Sequence, residues 1–209
     1  MPRLNPSLRK SHPGFIEGLI DIVNNFTTEG SVALEDKYIP MFRIFYDEFL
    51  RYLKDCDGIF YGSSYARKNY FWHKDNSTEW ETQKYVQGNG KMKRIFFIDS
   101  LEGKPDHEEK EIIKRHFEIY GNDSMKGEVF ICNSRQIPRT LHNIFCTETT
   151  TQVSWILRTN PGKYIERFQI ETDVKKHNDF VTSFNDIVSI KTATTKVTQS
   201  LIQSWDESS

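Results

Sequence analysis

A chain of 209 residues is long enough for one domain with a substantial core, and 37% hydrophobic, 27% charged and 13% aromatic residues set it apart from disordered sequences. With 28 basic and 29 acidic residues the net charge is −1, which excludes a global basic field for nucleic acid while leaving room for a local patch. Three widely spaced cysteines (Cys56, Cys132, Cys146) make neither a disulfide framework nor a zinc pair.

Residues 1–12 lack the apolar stretch of a signal peptide, and no apolar run approaches the roughly 20 residues that cross a bilayer. The expectation is a cytoplasmic protein without membrane contact. Residues 1–13 carry three prolines and read as a loose arm. Phe15, Ile16, Leu19, Ile20, Val23 and Phe26 recur at helical spacing. Residues 34–56 form the longest helical pattern, with an aromatic stripe through Tyr38, Phe42, Phe45, Phe49 and Tyr52. That stripe reads as core, with part of it available as a homodimer face.

Residues 57–64 read as a short strand running into a small-residue turn. Residues 79–87 follow as a helix stopped by Gly88-Asn89-Gly90. Residues 92–99 hold the continuous apolar run Ile95-Phe96-Phe97-Ile98, the pattern of a strand buried on both faces. A helix over 107–120 leads to another apolar strand at 128–132, and 138–141 forms a short helical turn. Residues 57–133 thus alternate strand and helix, which predicts parallel pairing through right-handed crossovers. After Asn143 the texture changes to β-branched, partly alternating segments, and 151–172 reads as an antiparallel hairpin. A last helix begins near Asp173. Residues 189–205 are only weakly periodic.

The expected fold is α/β: a single domain with a mixed sheet, a parallel βαβαβ core, an antiparallel extension and helices on both faces. Its divisions are an N-terminal arm and helical pair (1–56) packing on the core, the α/β domain (57–190), and a C-terminal helix extension or tail (191–209).

Ligands in parallel α/β sheets bind at the carboxyl ends of the strands. Here those ends read Ser63-Ser64-Tyr65, Asp99-Ser100 and Asn133-Ser134-Arg135. Trp72-His73-Lys74-Asp75 places an indole, an imidazole, a cation and a carboxylate in succession, of which only alternate members can converge in an extended chain. Basic residues cluster at Arg67, Lys68 and Lys74, and again at Lys91, Lys93 and Arg94. His107 and His116 do not share a helix face, so the i, i+4 spacing of a helical zinc site is absent. A Cys146 nucleophile with a His142 base would require a proximity that spacing does not provide. No phosphate loop and no nucleophile elbow is present.

Residues 69–135 carry Tyr70-Phe71-Trp72 before a helix, Arg94-Ile95-Phe96-Phe97-Ile98 after a Gly/Lys turn, an acidic helix (Glu108, Glu109, Glu111) and Gly127-Glu128-Val129 at a strand start. In these features the chain resembles α/β sensory domains of bacterial signalling proteins with a phospholipase D-like arrangement that lack the catalytic motif. The resemblance covers about a third of the chain and implies a regulatory module that binds a small molecule or a partner. His73, Lys74 and Asp75 are contiguous and single, unlike the spaced and usually duplicated catalytic motif of the phospholipase D type.

The leading expectation is a sensory or regulatory binding domain for a small, anionic ligand or a protein partner, without catalysis, cofactor or metal, and dimeric through the 34–56 helix. Its ligand-binding residues would be Ser63, Ser64, Tyr65, Asp99, Ser100 and Arg135, with Trp72 and Lys74 as a lid. The alternative is an enzyme acting on a nucleotide or phosphodiester, with His73, Glu79 and Asp99 as catalytic residues and Lys74 and Arg135 holding phosphate. A third reading is a nucleic-acid-associated protein using the two basic clusters.

Overall fold

In the computed structural model the run Ile95–Ile98 is fully buried, each residue 0% exposed, and the sheet is built outward from it. The structure describes Leu50, Leu53 and residues 57–66, 77–141, 144–150, 152, 154–159, 165–171 and 173–207. The expected helical pair and the 34–56 dimer face lie outside the described residues except for Leu50 and Leu53, both helical and buried.

The class is α/β, with a single mixed sheet and flanking helices. In chain order the elements are β1 (Ile59–Tyr65), α1 (Ser77–Gln87), β2 (Lys91–Ile98), α2 (His107–His116), β3 (Gly127–Asn133), β4 (Ile144–Glu148), β5 (Ser154–Thr159), β6 (Ile165–Glu171), α3 (Val174–Ser189), β7 (Thr194–Lys196) and α4 (Gln199–Asp206). Among the described residues seven strands stand in the order β6-β5-β4-β1-β2-β3-β7. β2 pairs parallel with β1 (Ser63 opposite Ile95) and with β3 (Phe96 opposite Ile131). β4, β5 and β6 add antiparallel on the β1 side.

Successive strand residues face opposite sides, and β2 meets different partners on each. Ile95 and Phe97 join Tyr61, Phe130 and Phe145 in a cluster with Phe180, Phe184 and Ile187 of α3. The α3 residues recur at intervals of three and four, so one helix stripe fills that side. Phe184 meets Tyr61 edge-on at 5.1 Å, and Phe180 stacks on Phe145 at 5.3 Å. Phe96 instead meets the His116 ring at 4.9 Å, at the end of α2.

The helices start and stop where local chemistry supplies partners for their terminal backbone groups. Asp106 caps α2 in a reciprocal box: its Oδ1 accepts from Glu109 N at 2.9 Å, and Glu109 Oε2 accepts from Asp106 N at 2.9 Å. Asp173 caps α3 through Lys175 N at 2.7 Å. α1 ends at Gln87, and Gly88 N closes on Lys84 O at 3.1 Å, so Gly88-Asn89-Gly90 is a helix stop.

Beyond β2, two segments depart from the expected elements. The helix expected over 107–120 is α-helical only to His116 and then widens into a π turn, Phe117–Gly121, closed by Asn122 N on Phe117 O at 2.9 Å. Beyond Ser189 the chain neither continues α3 nor trails away. It forms β7, antiparallel to β3 with Thr195 opposite Ile131, and then α4. Gly127 starts β3 where a Cβ would run into the Met92 backbone carbonyl, so the close approach of β2 and β3 there requires glycine.

Candidate functional site

The carboxyl ends of β2 and β3 are tied together by polar side chains. Ser134 Oγ donates to Ile98 O at 3.0 Å, and Asn133 Nδ2 donates to Ser100 O at 3.1 Å. Asn133 Oδ1 accepts from Arg135 N at 3.1 Å, which turns the chain into the 3-10 turn Ser134–Gln136. Ser100 Oγ accepts from Glu102 N at 3.2 Å and shapes the loop after β2. On this pinned backbone Arg135 Nε donates to Asp99 Oδ1 at 2.5 Å, with the side chains 49% and 44% exposed respectively. Among the described residues no other group is hydrogen-bonded to the Arg135 guanidinium. A guanidinium held through Nε keeps its terminal NH₂ groups for a carboxylate or phosphate.

Asp99, Ser100 and Arg135 therefore stand together. Tyr65 is half-buried at the end of β1, its ring 5.7 Å from that of Phe97. Ser63 and Ser64 are elsewhere: β1 runs through them to Tyr65, so they lie inside the strand and on opposite faces of the sheet. Ser63 Oγ accepts from Phe145 N at 3.1 Å, and Ser64 Oγ accepts from Arg94 Nη1 at 3.4 Å; both serines are buried. Trp72, His73 and Lys74 lie outside the described residues, and Glu79 is in the first turn of α1. His142 is likewise outside them, while Cys146 is buried in β4. Cys132 is buried too, and burial raises its thiol pKa, partly offset by a hydrogen bond with Thr194, so neither cysteine is exposed.

Arg94 was grouped in sequence with Lys91 and Lys93, but it is 2% exposed and belongs to the interior. Its guanidinium carbon lies 5.8 Å from the Phe60 ring centre and 5.9 Å from that of Phe96. Gly62 makes the slot: a Cβ there would come within 3.3 Å of Arg94 Cζ and 3.1 Å of Phe60 Cε1. A small residue that reads as a turn in sequence is a packing gap in the sheet. His116 and Tyr120 close the cluster, His116 Nδ1 lying 3.1 Å from the Tyr120 hydroxyl.

Burial first, and then the positive charges of Arg94 and Arg115, hold the His116 pKa well below the ordinary histidine value. Burial raises the Tyr120 pKa, against the opposing charge and hydrogen bond of Arg94. A second buried polar group links β4, β5 and α3: Thr147 Oγ1 lies 2.6 Å from both Ser154 Oγ and His177 Nδ1. Desolvation lowers the His177 pKa.

Sequence reasoning missed both groups. An arginine abutting an apolar run and the i, i+4 spacing of His116 and Tyr120 were the available signals for the first. The second joins residues 30 apart and left no local trace. Among the described residues no cluster of three or more His, Cys, Asp or Glu could hold a metal ion, and no helix is long and apolar enough to cross a membrane. No family model matches the chain, and no curated protein matches it.

Proposed function

We propose that this chain is a cytoplasmic sensory or regulatory binding domain that takes a small anionic ligand at the carboxyl edge of β2 and β3, without catalysis. The observation that supports it is the half-exposed Asp99–Arg135 pair on a backbone pinned by Asn133 and Ser134. In this reading β1-α1-β2-α2-β3 is the parallel βαβαβ core with helices on both faces, and the edge is the one where such sheets hold ligands. Arg135 is the anion-binding group. Asp99 orients it and sets a threshold, because an incoming carboxylate or phosphate must compete with an existing carboxylate. Buried Cys132 and Cys146 suit a reducing compartment. The kinship this implies is with the non-catalytic, phospholipase D-like sensory domains that the chain resembles.

Thermal-shift screening against phosphate, nucleotides and small carboxylates tests the proposal. A ligand at a hundredfold excess over its dissociation constant adds about 2.7 kcal/mol, which raises the melting temperature measurably. Arg135→Ala should abolish that shift while leaving the unliganded melting temperature nearly unchanged. A shift that survives Arg135→Ala places the ligand elsewhere. Turnover of a nucleotide or phosphodiester that disappears in His73→Ala, with folding intact, replaces the binding reading by the enzyme reading.

A further inference from the structure

Among the described residues the two outermost strands of the sheet are unequal. β7 has three residues and ends on Lys196, and a short lysine-bearing strand is one way proteins blunt an edge. β6 has seven residues, Ile-Glu-Arg-Phe-Gln-Ile-Glu, without proline, glycine or lysine. Among the described residues its only strand neighbour is β5. Such an edge presents a row of backbone donors and acceptors to any extended chain.

The β5–β6 register adds a charge argument. It sets Arg167 directly opposite Arg158, two cations at one cross-strand position. Like charges so placed are destabilising, and an acidic residue from a strand on the outer side of β6 would offset them. β6 carries such a residue itself: Glu171 is four along from Arg167 and therefore on the same face.

We propose that β6 pairs antiparallel with β6 of a second copy of this chain, about a two-fold axis at Gln169, so that one sheet runs through the dimer. In that register Arg167 stands opposite the partner's Glu171, and Phe168 stands opposite the partner's Ile170. Each contact occurs twice, as the symmetry of a self-complementary interface demands. The stretch 167–171 lies beyond the register irregularity at Arg158/Thr159, so its backbone is regular where pairing is needed. Neighbouring registers are poorer. An axis at Phe168 sets Arg167 against Gln169 and Glu166 against Ile170. An axis at Ile170 sets Arg167 against Asp173, whose carboxylate already caps α3.

Light scattering on the intact chain tests this, with a charge exchange as the discriminating step. The wild type should run at roughly twice the 24.6 kDa of one chain. Arg167→Glu and Glu171→Arg each place like charges opposite one another twice, and each should halve the mass with circular dichroism unchanged. Mixed in equal amounts, the two variants should restore a dimer containing one of each, because every pair is then complementary. Should either variant fail to fold, Gln169→Lys, which brings two lysines together at the axis, should give a folded monomer. A monomeric wild type, single variants that stay dimeric (as a dimer through 34–56 would), or a mixture that stays monomeric overturns the proposal.

Discussion

His116 and Arg94 occupy the same buried space, and histidine is the member whose ordinary pKa lies near neutrality. The folded state holds the His116 pKa below its ordinary value, so the unfolded chain takes up a proton first as pH falls. Stability should therefore be highest above about pH 6.5 and decline as pH drops from there toward the folded-state pKa, by at most about 1.4 kcal/mol per pH unit per histidine. His177 acts in the same direction. Urea denaturation across pH 5 to 8 should show this slope, and His116→Phe should remove about one proton's share of it whatever its effect on absolute stability. An unchanged slope in that variant would mean that His116 titrates alike in both states. Little of this cluster was legible in the sequence, where Arg94 reads as one more cation beside a strand. Its burial depends on the gap at Gly62 and on rings contributed from β1, β2 and the end of α2.

Elements were read best where a local signal marks both the body and the end. α3 has an apolar stripe for its body and Asp173 for its start, and in α2 the Asp106–Glu109 capping box holds the start. Asp106→Ala should cost about 1 kcal/mol, the usual worth of such a cap, and Asp106→Asn much less. Equal losses in the two variants, measured by chemical denaturation, would point to a role other than capping. The π turn after His116 was missed because an extra residue in a helix leaves the hydrophobic period almost unchanged over so short a stretch. β7 was missed because three residues cannot establish a period of two. What defines it is tertiary: pairing to β3, Asn133 N on Ala193 O at 2.9 Å, and Lys196 meeting Glu128 at 2.6 Å. Glu128 also receives Lys93 at 2.9 Å. Burial alone would raise its pKa, but these two hydrogen-bonded lysines bring it below the ordinary value.

Across the whole molecule, the C-terminal residues complete the sheet and its packing. Ala193, Val197 and Ile202 are buried, and Lys114 of α2 pairs with Asp206 of α4 at 3.1 Å. Truncation after Ser189 removes all of these and opens the β3 edge. Full burial of a Val or Ile side chain stabilises by about 1.5–3 kcal/mol, so losing two such residues should lower the melting temperature by about 10 °C in a chain of this size. A truncated protein that melts with the full chain would make β7 and α4 an ornament. Among the described residues β6 is the outermost strand on the far side of the sheet, where the proposed self-pairing would join two molecules.

The sequence by itself determined the α/β class and most of the element bodies, because periodicity, caps and helix stops act within a few residues. Ile95–Ile98 announced a strand covered on both faces, and Asp173 announced the start of α3. It also placed Asp99, Ser100 and Arg135 at strand ends, and only the fold brings Arg135 onto Asp99 across 36 residues of chain. Tertiary structure alone decided that Ser63 and Ser64 are strand interior, that Arg94 is core and that β4 joins the sheet beside β1. Each of these depends on which distant segments become neighbours, and no local pattern encodes that choice.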